Sequence, residues 1–343
     1  MNLVIQHAGG QIQGARRRQE DSFQLVPMED PHTGLHGVLA VLADGVGGAA
    51  AGDHASRRAV SVFASAFQQQ TGSDDERLVI ALAAANDALA LDRTVDPLKE
   101  GMGCTLIAVA ARSTMVTWIS VGDSLLLRSR NGHLCRLNED HSLAPELDRA
   151  AERGEISVEE ALAHSDRHTI TSALTGDPIP LVDGPHRGDP IQEDDRLILA
   201  SDGLLSLSSH ELSVLLEGGP QPAGRLVQQI LNSVDALQLE GQDNTTVIVL
   251  AADRPDSMPI LLEMPVVPPL RSLEAPAASN RRLKDRVTAI MRMTALFLSL
   301  VFLCSAGLVA AILLTGGLTY SAQSTPSAVI PPAGVQKSEA AKP

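Results

Sequence analysis

The chain has 343 residues, enough for one large domain or two ordinary ones, and 44% of them are hydrophobic, so a sizeable core can be buried. A formal net charge of -14 argues against a nucleic-acid binder, because a phosphate backbone selects a basic footprint. Aromatics make up only 2%, so Leu, Val, Ile and Ala must fill the core.

The cysteines, Cys104, Cys135 and Cys304, are odd in number and far apart. They form neither a disulfide framework nor a zinc pattern, which points to a reducing compartment. The first ten residues lack a basic start followed by an apolar run, so no signal peptide is expected.

In chain order, residues 5–252 read as one mixed α/β domain. Short β-branched or Leu-rich runs predict strands at 37–43, 105–110, 115–121, 125–130, 196–200 and 245–251. Residues 51–70 carry a helical stripe of Ala55, Ala59, Val62, Phe63 and Ala66, and residues 76–91 repeat it with Leu78, Leu82, Ala85 and Leu89. Further helices are predicted at 157–164, 209–216 and 223–237. Strands come in adjacent pairs and helices in blocks, which favours antiparallel sheets covered by helices over a βαβ alternation.

From residue 253 the character changes. Pro255, Pro259, Pro265, Pro268, Pro269 and Pro276 predict a linker with extended stretches. A basic cluster, Arg281, Arg282, Lys284, Arg286 and Arg292, leads into an uncharged apolar run at 293–318. A helix needs about 20 apolar residues to cross a bilayer, so this run is predicted to span one. The basic flank predicts that the N-terminal side stays in the cytoplasm, at the inner membrane. The tail, 319–343, is expected to be short, disordered and outside. A single span without charge is an anchor, not a transport pathway.

The chemistry lies in a repeated pattern, in which an apolar strand meets an aspartate beside a glycine. Asp44-Gly45, Gly122-Asp123 and Asp202-Gly203 each follow a predicted strand, and Asp243 precedes one two residues after Gly241. The acidic pair Glu20-Asp21 follows Arg16-Arg17-Arg18. Any one of these sites reads as an ordinary turn, since Asp bonds its own backbone and Gly takes positive φ. Together they can converge at one sheet edge, where a cluster of like charges requires cations. Oxygen ligands suit Mg2+ or Mn2+ and not zinc. A pair of such ions acidifies a water for in-line attack on phosphorus, and a nearby arginine can grip the phosphate oxygens.

Seven motifs in order resemble the PPM (type 2C) metal-dependent Ser/Thr protein phosphatases in their bacterial form. They start at Arg16, Arg17, Arg18, Gln19, Glu20, Asp21, Ser22, which resembles R-x-x-N-E-D-S, and at Ala43-Asp44-Gly45-Val46-Gly47-Gly48 with Ala51-Gly52-Asp53. Gly103-Cys104-Thr105-Leu106, Val121-Gly122-Asp123-Ser124 and Glu139-Asp140-His141-Ser142-Leu143 follow. Leu199-Ala200-Ser201-Asp202-Gly203-Leu204 and Gly241-Gln242-Asp243-Asn244-Thr245-Thr246 complete the series.

The resemblance implies an α+β fold: a central β-sandwich of two antiparallel sheets flanked by helices on both sides, in four layers. It implies that Asp44 bridges two core ions of Mn2+ or Mg2+, with the Gly45 carbonyl contributing. Asp202 and Asp243 complete the first site, Asp21 and Glu20 serve the second, and Asp123 with Asp202 supplies a third, weaker position. Arg16 grips phosphate. Residues 144–183 resemble the family's flap beside the cleft, and Arg167-His168-Thr169-Ile170-Thr171 resembles its R-N-x-I-T stretch. The implied substrates are phosphorylated proteins, and the implied setting is reversal of a bacterial Ser/Thr kinase.

This sequence departs from the pattern at several positions. Gln19 stands for Asn, Cys104 for Ser or Thr, Leu125 for Arg and His168 for Asn. Val46 stands where eukaryotic members carry a histidine thought to act as general acid. His54, at the start of an Ala-rich helix, reads as structural.

Two other functions compete. Residues 45–50 fit G-x-G-x-x-A of a dinucleotide site, but Asp44 would face the pyrophosphate and no acidic strand end follows about 20 residues on. A pseudophosphatase acting as a membrane-tethered binding module would have lost a metal aspartate, and Asp21, Asp44, Asp202 and Asp243 are all present. Signatures of other hydrolases and of cysteine phosphatases are missing.

Overall fold

The computed structural model describes residues 3–29, 36–46, 51–185, 188–217 and 221–254. Its strands are β1 (Val4–Ile12), β2 (Ser22–Glu29), β3 (His36–Ala43), β4 (Gly45–Val46), β5 (Gly103–Cys104) and β6 (Leu106–Arg112), then β7 (Met115–Val121), β8 (Leu125–Arg130), β9 (His133–Arg136), β10 (Asp189–Pro190), β11 (Arg196–Ala200) and β12 (Thr245–Asp253). The helices are α1 (Gly52–Gln69), α2 (Asp74–Val95), α3 (Ala144–Glu152), α4 (Val158–Ala163), α5 (Ser209–Leu216) and α6 (Ala223–Ala236).

Two five-stranded sheets run β1-β12-β11-β8-β9 and β10-β7-β6-β3-β2, and β4 with β5 makes a small third pair. Every pairing among them is antiparallel. The period-two alternation of strand side chains divides each central strand between two cores. Val38, Ala40, Leu42, Ile107, Val109, Leu197, Leu199, Ile248 and Leu250 meet between the sheets. Their neighbours Leu39, Val41, Leu106 and Ala108 turn outward onto α1 and α2, through Phe63, Phe67, Leu78 and Leu89. On the opposite face Ile198, Val247 and Val249 pack on α5 and α6, through Leu212, Leu226, Ile230 and Val234. The result is the expected four layers, and it explains why these antiparallel strands read as unbroken apolar runs: both of their faces are covered.

Helix starts follow local chemistry. α2, α4 and α5 each begin with a capping box, Ser73 with Glu76, Ser157 with Glu160 and Ser208 with Glu211. α3 carries proline in its first turn, where a missing N–H is harmless.

The predicted strands 115–121, 125–130 and 196–200 and the predicted helix 209–216 match the observed bounds. Seven elements were not legible, and three of them, β4, β5 and β10, are strands of only two residues. β1, VIQHAGGQI, carries two glycines and three polar side chains, and β2 contains Pro27. Each is the edge strand of its sheet, and an edge tolerates a missing donor. β9 is only four residues long, and α3 has one fully buried residue, Ala144, so neither carries a strong periodic signal.

The dinucleotide reading is overturned. Asp44 leads into β4, which pairs antiparallel with β5, and among the described residues there is no parallel strand for a phosphate-binding βαβ turn. All described elements belong to one compact unit, Met1–Leu261. The predicted linker beyond residue 254, the membrane span at 293–318 and the tail lie outside the described residues. Among the described residues no helix is long and apolar enough to cross a membrane.

Candidate metal centre

The strand registers bring the distant aspartates to one rim of the sandwich. Ser22 faces Ala43, so Asp21 and Asp44 flank the same end of the β2–β3 pair. Ala200 faces both Leu125 and Val247, which aligns Asp202, Asp123 and Asp243 at the matching end of the other sheet. Leu106 opposite Val121 places the Gly122-Asp123 turn beside Thr105. That turn needs glycine: Gly122 has φ +103°, and an added Cβ would lie 2.6 Å from the Thr105 methyl.

Arg16, Glu20, Asp44, Gly45, Asp202, Asp243 and Asn244 line a cleft of about 610 Å³. Asp21 and Asp123 are not among its lining residues and are buried, 5% and 8% exposed. Thr246 Oγ1 and Ser201 Oγ both donate to Asp21 Oδ2, at 2.7 and 2.8 Å. The Asp44 amide donates to Thr105 Oγ1 at 3.0 Å, and Thr105 in turn shares a hydroxyl bond with Ser124. Asn244 holds the loop that carries Arg16 and Glu20. Its Oδ1 accepts from the Glu20 amide, and its Nδ2 donates to the carbonyls of Gln13 and Arg18. Gln19, standing where Asn was expected, accepts from the Asp21 amide at 3.0 Å and donates to the Ile12 carbonyl.

The carboxylates crowd one another. Burial, followed by the charges of Asp21, Asp202, Asp123 and Asp243, holds Asp44 well above the usual carboxylate range. Among those charges Asp21 acts most strongly on Asp44 and Asp202 next. Burial raises Asp21 to about 6, and burial with the charge of Asp202 raises Asp123 to about 7. Asp202 is raised by burial and by Asp243, while Arg16 and His168 act in the opposite direction. Asp21 Oδ1 and Asp202 Oδ1 are buried without a hydrogen-bond partner. A buried carboxylate oxygen left in this state costs free energy until a cation reaches it.

These observations test the fit of divalent ions. All the donors are hard oxygens, two of them are orphaned, and burial followed by mutual repulsion raises the proton affinity of four carboxyls. Among the described residues, no three His, Cys, Asp or Glu side chains are already gathered as a finished ligand set. A Mg2+-type ion does not require one, since it keeps several waters and takes one or two carboxylates. The residues therefore fit such ions.

The remaining sequence expectations resolve as follows. Arg16 lies at the cleft, but its guanidinium is paired with the Asp243 carboxylate. The Glu20 carboxyl leans toward Gly52 at the start of α1, while its carbonyl accepts from Gly45 and Ser56. His54 bonds Asp92 at 2.7 Å, joining α1 to α2, as its structural reading requires. Leu125 is 5% exposed and packs in the core beneath α5 and α6. Cys104 is fully buried, and that burial pushes its thiol up. Ile170, two residues after His168, reaches the cleft from the 144–183 segment, which contains α3 and α4. Sequence reasoning did not pick out Asn244 as the loop clamp or Arg17 and Arg18 as cleft residues. The runs G-x-D-N-x-T and R-R-R were visible, but nothing in them says where the side chains point.

A sequence model of the family described as protein phosphatase 2C matches residues 18–241. The chain belongs to the protein phosphatase 2C family. It is 32% identical over 262 residues to the serine/threonine protein phosphatase PstP of Mycobacterium tuberculosis, covering 73% of this chain and 45% of that protein. It thus spans about half the length of that curated relative. It is 31% identical over 225 residues to the serine/threonine phosphatase stp of Listeria monocytogenes, covering 63% of this chain and 84% of that one. A crystal structure of the PstP catalytic domain in complex with two manganese ions superposes with a TM-score of 0.56 at 28% identity, covering 73% of this chain and 99% of that one.

Proposed function

We propose that this chain is a metal-dependent protein phosphatase that hydrolyses phosphoserine and phosphothreonine in proteins, using two ions of Mn2+ or Mg2+. The observation that carries this reading is the convergence of Asp21, Asp44, Asp202 and Asp243, from four separate strand ends, around two orphaned buried oxygens. The manganese-bound PstP catalytic domain supports it. Asp44 with the Gly45 carbonyl would bridge the ions, Asp202 and Asp243 would complete one site, and Asp21 with Glu20 would serve the other. Asp123 with Asp202 would offer a third, weaker position.

When bound, the ions supply Lewis acidity: they neutralise phosphate charge and acidify water. The chain's own groups orient the substrate. Arg16, here paired with Asp243, carries the planar fork suited to phosphate oxygens and would turn to them if bound cations neutralised that carboxylate. The water oxygen bonds to phosphorus, the bond to the side-chain oxygen breaks, and one proton of that water ends on the released hydroxyl. Turnover of a phosphothreonine peptide by the purified chain with Mn2+, abolished by EDTA and restored by fresh Mn2+, is the expected result. Binding of the peptide without any turnover would favour the pseudophosphatase reading.

The pH behaviour follows from the raised carboxyls. The ordinary value is 3.8, and Asp21 and Asp123 are held at about 6 and about 7 in the folded chain. A carboxyl raised on folding adds stability below its unfolded value, and that contribution is lost as pH climbs through the folded value. The metal-free protein therefore weakens from about pH 4 to about pH 8 through these groups, while cations meet less competition from protons. The gain in Tm from millimolar Mn2+ is expected to grow from pH 5.5 to pH 7.5. A gain that is flat or shrinking, read by scanning fluorimetry, would remove these carboxyls from the metal centre.

The proposed setting is reversal of a bacterial Ser/Thr kinase, with the apolar run 293–318 holding the domain at the inner membrane. Attachment there would raise the local concentration near membrane-bound substrates.

A further inference from the structure

The mouth of the cleft holds charge that hydrolysis leaves unused. Among the described residues lining it, the only basic ones are Arg16, Arg17 and Arg18. Arg16 is committed to Asp243 and to the phosphate under attack. Arg17 and Arg18 are exposed, and neither guanidinium is held in an ion pair or hydrogen bond among the described residues. Their backbone, by contrast, is fixed. The Ala15 amide donates to the Gln242 carbonyl at 2.8 Å, Gln13 Nε2 to the Arg16 carbonyl at 2.7 Å, and Asn244 Nδ2 to the Arg18 carbonyl at 2.9 Å. A rigid strap thus presents two unpaired guanidiniums at the rim of a cleft whose floor is acidic, on a chain of net charge -14.

Two such cations serve no metal chemistry, since they repel divalent ions. They fit a second anion on the substrate, with guanidinium forks matched to phosphate and carboxylate. The span from Arg16 to Arg18 is at most about 7 Å, which an extended peptide covers in about two residues. We propose that Arg17 and Arg18 form an anion subsite beside the reacting phosphate, selecting protein substrates with a second phosphate or a carboxylate within a few residues of the phosphorylated side chain. This rests on the phosphatase reading above.

The test uses the full chain with Mn2+ and three peptides. One carries phosphothreonine among neutral residues, one adds phosphoserine two residues away, and one places glutamate there instead. The ratio of kcat/KM for each charged peptide over the neutral one is the quantity read. The unsubstituted chain is expected to favour the doubly phosphorylated peptide by about tenfold and the glutamate peptide by less, through KM, as charge-assisted forks imply. In the Arg17→Ala/Arg18→Ala variant both ratios are expected to fall to near one with Tm unchanged, and the Lys pair is expected to recover part of them. Equal ratios for both charged peptides would assign the subsite to charge alone and overturn its preference for phosphate. Ratios that survive in the Ala variant, or that stand at one in the unsubstituted chain, would overturn the subsite. If neither peptides nor p-nitrophenyl phosphate are turned over with Mn2+, the phosphatase reading itself falls, and the subsite with it.

Discussion

Asp44→Asn is expected to reduce phosphatase turnover by about a thousandfold, the scale seen when a preorganised charge-stabilising group is removed. The same substitution is expected to leave the metal-free protein as stable as before, or more so. Asp44 sits at the centre of the carboxylate group, and its ionised form is opposed by burial and then by Asp21, Asp202, Asp123 and Asp243. An amide has no charge for those carboxylates to repel. Thermal melts at neutral pH then separate two roles. A metal bridge predicts lost turnover, lost stabilisation by Mn2+ and an undiminished metal-free Tm. A purely structural aspartate predicts the reverse, a fall in metal-free Tm with Mn2+ stabilisation intact. Full turnover in the Asn variant would exclude the bridging role outright.

Gly45→Ala is expected to cost about 3 kcal/mol or more, at the upper end of what overpacking a tight site costs. A Cβ at Gly45 would lie 2.3 Å from the Gly52 carbonyl oxygen, 2.4 Å from its carbon and 2.7 Å from the Glu20 oxygen. All three are backbone atoms, so no rotamer change relieves the contact, and α1 must move away from β4. The movement displaces the Gly45 carbonyl and the loop carrying Glu20 together, and an error of about 1 Å at such a site costs about a hundredfold in rate. For a domain of this size the expected drop in Tm is about 6–12 °C. Gly224→Ala is the matched control, because that glycine lies in α6 and its new methyl would meet only Ala8 at 3.8 Å. It is expected to be neutral or stabilising by up to about 1 kcal/mol. Equal effects at the two glycines, measured by denaturant unfolding, would disprove the close approach of α1 as the cause.

Much of this was readable before folding. Wherever a strand is buried on both faces its apolar run is continuous, and β7, β8 and β11 could be bounded to the residue. The acidic residues also announced themselves: Asp44, Asp123, Asp202 and Asp243 each adjoin a predicted strand with glycine close by, and Asp21 stood out in the acidic pair after three arginines. β1 and β2 hid for a physical reason. As edge strands they have one neighbour each, so glycine, polar residues and Pro27 are tolerated, and the signal that marks a core strand is diluted.

The sequence by itself determined the chemistry available: hard oxygen donors at strand ends, a basic triplet five to three residues before Asp21, and an aliphatic core large enough to fix them. Those properties follow from side-chain type and local periodicity, which act over a few residues. Only the tertiary structure decided which donors share a rim, because residues 21 and 246, or 44 and 202, belong to different sheets and meet through the packing of the two sheets, not through chain proximity. Burial then decided the electrostatics. The same carboxyl that is unremarkable in water is driven to hold its proton when four others share its cavity, and that energy is what a pair of cations can recover.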